Sequence, residues 1–132
     1  MGSPSDRLTI IATESQRFAA VLATSDPDAR VPTCPGWTAL DLAWHLTEVH
    51  LFWAGVLSLS TTDPAGLDRV EGSTPPRPGD MAGVLAVRTQ ATDALIAALT
   101  DLDDAEPRWS WWDPDQTVGF TRRMQAYEAT IQ

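Results

Sequence analysis

Three breaks rich in proline and turn residues divide this chain into four apolar stretches with helical spacing, and that punctuation constrains its fold most. In the first stretch, LTIIATESQRFAAVL, Leu8, Ile11, Ser15, Phe18 and Leu22 share one helical face, with Asp6 as the expected cap. ATSDPDARVPTCPGW ends that helix in an ordered loop. Thr38 opens the second helix with TALD, a capping-box start in which Asp41 replaces the usual Glu or Gln, and the helix is expected to run to about Leu59. STTDPAGLDRVEGSTPPRPGD is a long connection, read as a crossover or a lid. Asp80 starts the third helix, whose inner face carries Val84, Val87, Ala91, Ala94, Leu95 and Ala98. DDAEPRWSWWDPDQ breaks it, and Thr117 caps a last segment, VGFTRRMQAYEATIQ, still helical where the sequence stops. No strand-like alternation and no repeat is visible. The expectation is an all-α chain forming one domain over residues 1–132. It is an antiparallel four-helix bundle with a long crossover between helices 2 and 3 and a fourth helix that reads as cut short.

Charge narrows the function. Eighteen acids face nine bases, all arginine, for a formal charge of −9. A basic nucleic-acid surface is therefore not expected, nor is attraction to an anionic membrane. Without lysine there is no Schiff-base or phosphate-loop lysine. The most apolar stretch, Leu40 to Leu59, contains Asp41, His45, Glu48 and His50, too polar for a membrane span. One cysteine cannot form an internal disulfide, and the N-terminus lacks the pattern of a signal peptide, so a cytoplasmic protein is the expectation.

Residues 31 to 53 hold the single cysteine, both histidines and three of the six tryptophans. His45 and His50 lie about 140° apart around a helix and cannot serve one ligand together. Asp41, His45 and Glu48, at i, i+4 and i+7, form a polar stripe. It reads either as part of a metal site, with His45 as ligand, or as a solvated face with helix-local pairs. A bundle metal site needs donors from a facing helix. The last helix offers Glu128 and Gln132, about 40° apart on one face, with Tyr127 beside them. A neutral amide is a poor zinc donor. Cys34 reads as a structural thiol in a turn, and the tryptophans of RWSWWD as core or rim packing, with a ligand pocket as the other reading. Of Arg122 and Arg123, adjacent on a helix, at most one can face inward towards an anionic substrate.

VPTCPGWTALDLAWHLTEVH together with WSWWDPDQTVGFTRRMQAYEATIQ resembles the N-terminal, metal-binding domain of the mycothiol-dependent maleylpyruvate isomerase family, within the DinB-like four-helix superfamily. The resemblance spans essentially the whole chain. It implies that the Pro-Gly-Trp turn leads into the helix bearing the first metal ligand, His45, and that Glu128 is the second. The third family ligand is a histidine where this chain has Gln132, and relatives commonly read His-Glu where it has Tyr127 and Glu128. The implied cofactors are a divalent metal, zinc first, and mycothiol. The implied partners are that small thiol and a small organic substrate, and the activity is thiol-dependent isomerisation or S-transfer. Trp37 and Arg123 are the candidates for contacting the thiol cofactor, and no catalytic residue is assigned. Complete members usually continue into a C-terminal domain. The competing expectation is a non-catalytic binding or interaction module with a degenerate metal site. The end of the fourth helix, at Ile131, offers an apolar face for a homodimer.

Overall fold

The structure is a computed structural model that describes residues 4–31 and 34–131, with side chains described for 7–31 and 36–129. Four long helices carry the chain: α1 (Pro4–Ala23), α2 (Ala39–Ser58), α4 (Met81–Asp101) and α5 (Val118–Ile131). A short α3 (Leu67–Gly72) and a preceding 3-10 turn (Pro64–Gly66) lie in the connection after α2. α2 packs most extensively on α4, while α1 contacts both α4 and α5. His50 of α2 meets Thr92 of α4, and Ala43 and Trp44 cluster with Met81 and Val84, so α2 and α4 run parallel. The long crossover makes that possible. An up-down-down-up, all-α bundle results.

The helix starts follow local hydrogen bonding. Thr38 Oγ1 accepts from Asp41 N at 3.2 Å and Asp41 Oδ2 accepts from Thr38 N at 3.0 Å, closing the capping box. Asp80 accepts from Gly83 N at 2.8 Å, and Thr117 Oγ1 from Phe120 N at 3.3 Å. α1 departs from expectation: it begins at Pro4, a residue suited to a first helical position, so Asp6 lies in its first turn and is not its cap. α2 ends in a Schellman arrangement, with Thr61 N donating to Val56 O and Ser60 at φ 52°.

A second departure is a small antiparallel hairpin, β1 (Arg30–Val31) with β2 (Cys34–Thr38). Its strands are too short and too rich in proline and glycine to show alternation in the sequence. Strand β2 passes directly into α2, Thr38 serving as both last strand residue and helix cap. The side chain of Cys34 lies outside the described ones.

One core cluster joins Ile11, Trp53, Val56, Leu57, Leu95, Leu99 and Val118; a second joins Leu22, Ala43, Trp44 and Val84. α4 is long and apolar enough to cross a membrane, but here Val84, Ala91, Leu95 and Leu99 of this helix belong to the buried core, and Arg88 sits among them. Two buried arginines hold helix ends, as the helix dipole favours. Arg108 Nε donates to Leu57 O at 3.1 Å at the end of α2. Arg122 pairs with Asp104 and donates to Leu99 O and Leu102 O at the end of α4. Trp109 stacks on Trp53 with centroids 5.8 Å apart, whereas Trp111 and Trp112 are exposed against Phe120, so RWSWWD supplies both core and rim.

The crossover is fastened at Gly55, in the body of α2. A Cβ there would lie 2.7 Å from Val70 Cγ1 of α3, and Val70 is buried. Gly55→Ala gains up to about 1 kcal/mol of helix propensity but overpacks a β-branched neighbour at a cost of about 1–3 kcal/mol. Net destabilisation in urea is expected, turning to stabilisation when the same change is made in a Val70→Ala background. Equal effects in both backgrounds would show that the contact is not what requires glycine.

Candidate functional site

The hairpin sets the site's first wall. Because β2 runs into α2 without a loop, Trp37 is fixed relative to the first two turns of the helix, and its ring lies against that of His45 with centroids 5.0 Å apart and planes 56° apart. His45 itself is exposed. Of the polar stripe on α2, Asp41 is committed elsewhere. It closes the capping box and accepts from Arg77 Nη2 at 2.9 Å, a contact that ties the crossover to the start of α2. The backbone N–H of Thr38 and then Arg77 hold the Asp41 carboxyl below its ordinary value. Glu48 is exposed.

The second wall is α5. Glu128 is half-buried there, and burial raises its carboxyl above the ordinary value, opposed by a hydrogen bond from Gln125 Nε2 at 3.3 Å and by the charge of His45. The fold thus brings His45 of α2 and Glu128 of α5 within electrostatic reach of each other, although they are 83 residues apart in sequence. Gln132 lies outside the described residues. Among the described residues no three His, Cys, Asp or Glu side chains come together in a metal-binding group.

The remaining candidates separate. Arg123 donates to Asp115 Oδ2 at 2.6 Å, by the start of α5, one and a half turns from Glu128. Its neighbour Arg122 is the inward-facing one, and it is spent on the end of α4. Tyr127 is 60% exposed. His50 is 2% exposed, on another face of α2, with Nδ1 2.6 Å from Thr92 Oγ1; burial, and then the charge of Arg88, lower it to about 4, so it is a neutral core histidine. Sequence reasoning singled out neither Arg77 nor Arg88. A lone arginine within the apolar run VLAVRTQATDAL was the available signal for the second.

The family model described as Mycothiol maleylpyruvate isomerase N-terminal domain matches residues 8–131, from the first turns of α1 to the end of α5. The chain belongs to this family. Its bundle is the family's DinB-like four-helix arrangement. No curated protein and no solved structure matches the chain. Within the matched region, the hairpin carrying Gly36 and Trp37 leads into the helix that bears His45, and α5 bears Glu128.

Proposed function

We propose that this domain binds a divalent metal, zinc first, between His45 and Glu128 and uses it in mycothiol-dependent isomerisation or S-transfer on a small organic substrate. The observation that supports the reading is that a half-buried carboxyl on α5, Glu128, feels His45 of α2 electrostatically. One nitrogen and one carboxylate donor fit a zinc ion's ligand preferences. They number fewer than the three protein ligands usual for a catalytic zinc, so the site is a weak one. A bound divalent ion would supply the Lewis acidity that lets a thiol ionise at neutral pH. The chain's own residues do the rest: Trp37 restricts the His45 ring, and the exposure of His45 leaves room for a thiol to approach. Half-burial of Glu128 limits competing water. Arg123, held by Asp115 near the start of α5, would reach the cofactor only by exchanging that partner.

Calorimetric titration of mycothiol into the domain, with and without equimolar zinc, tests the reading. Binding that requires zinc, accompanied by thiolate absorbance in the ultraviolet and lost in His45→Ala, is the expected result. Binding of equal strength without zinc, or unchanged by His45→Ala, contradicts it. A second reading, a binding module with a degenerate site, is favoured by the fact that no three His, Cys, Asp or Glu side chains group together among the described residues. Under it the titration is silent with or without zinc.

A further inference from the structure

On the opposite side of the bundle, between α1 and α4, a cavity of about 200 Å³ is lined by Ala12, Ser15, Ala19, Arg88, Thr92 and Asp93, among others. Two features distinguish it from an ordinary interhelical groove. The first is Ser15. Four hydroxyls in the long helices satisfy themselves on the carbonyl four residues earlier, Thr47 on Ala43, Ser58 on Ala54, Thr89 on Leu85 and Thr100 on Ile96, whereas Ser15, like Thr121 of α5, does not. Ser15 is 5% exposed and its Oγ has no hydrogen-bond partner, which for a buried hydroxyl carries a desolvation cost. The second is the positive charge of Arg88, buried in α4 beneath the Phe18 ring, whose centroid is 5.5 Å from the guanidinium carbon. Burial lowers Arg88 to about 10, and it stays charged at neutral pH.

We infer that this α1–α4 cavity is a binding site for a small monocarboxylate with a short apolar chain, recognised by the Ser15 hydroxyl and the positive field of Arg88. The alanines of α1 leave space for a few carbons, and Ser15, whose hydroxyl is buried without a partner, lines the same space. Asp93, exposed on the lip, disfavours ligands of higher negative charge. The site shares no residue with the His45–Glu128 pair and does not depend on metal. It therefore stands or falls apart from the proposed function.

Butyrate is a suitable probe, titrated into the isotopically labelled domain at constant ionic strength and followed by amide resonances, with inorganic phosphate as the second arm. Saturable shifts at Ala12, Ser15, Ala19 and Thr92 with butyrate, and none with phosphate, are expected. Ser15→Ala is expected to weaken binding by about tenfold, the weight of one hydrogen bond to a charged acceptor. Ala19→Leu, which fills the cavity, is expected to remove it. The inference is overturned by an absence of saturable shifts at these amides, by shifts that survive both substitutions, or by phosphate producing the same pattern.

Discussion

Lowering the pH from 7 to 4 is expected to cost the protein about 3 kcal/mol of folding stability through His50 alone. His50 is nearly inaccessible, and its value in the folded state falls from the ordinary 6.5 to about 4, first because burial disfavours the imidazolium and second because Arg88 repels it. The unfolded chain takes up the proton as the pH falls through 6.5 while the folded chain resists it until about 4. The contribution is therefore complete above 6.5, is lost progressively between those values, and changes no further below them. Urea denaturation at pH 7 and pH 4 should show a wild-type loss larger by about 3 kcal/mol than that of His50→Gln, a variant that keeps a polar partner for Thr92 without titrating in this range. Carboxylates titrate in both proteins and cancel in the comparison. Identical pH dependence in the two would mean that His50 is accessible to protons in the folded state.

The second large effect is a gain. Gln132→His is expected to raise zinc affinity on the order of a hundredfold or more, because it exchanges a poor amide donor for an imidazole four residues after Glu128 in the sequence, the position of the third ligand that the family resemblance implies. The increase should appear in competition against a chromophoric chelator and should vanish when Glu128→Gln is combined with it. If Gln132→His leaves zinc affinity unchanged, position 132 does not belong to the same site as Glu128.

What could be read from the sequence divides along the range of the interactions. The capping box of Thr38 and Asp41 was legible because both hydrogen bonds span three residues, and Asp80 and Thr117 were legible for the same reason. The parallel course of α2 and α4 followed only from contacts such as His50 with Thr92, 42 residues apart, although the long crossover allowed for it. The hairpin was missed because its strands, Arg30–Val31 and Cys34–Thr38, are short, and the second contains Pro35 and Gly36, so no alternation shows. At the site, the spacing of Asp41, His45 and Glu48 favoured a solvated stripe and left a metal site as the other reading. The structure removes Asp41 from the metal site by pairing it with Arg77, 36 residues away, a partner that no local rule could name. Pairing His45 with Glu128 drew on family resemblance, and the structure brings the two within electrostatic reach. Arg88 and Ser15 went unread as a pair because their meeting depends on how α1 lies on α4.

Zinc affinity, measured by chelator competition on the wild type, His45→Ala and Glu128→Gln, tests the central claim most directly. The account predicts a single, weak zinc site in the wild type and a loss of at least about tenfold in each variant, with the helical content of all three unchanged. Zinc binding that persists undiminished in both variants, or a wild type that binds none, would contradict the assignment of His45 and Glu128 as the metal-holding pair.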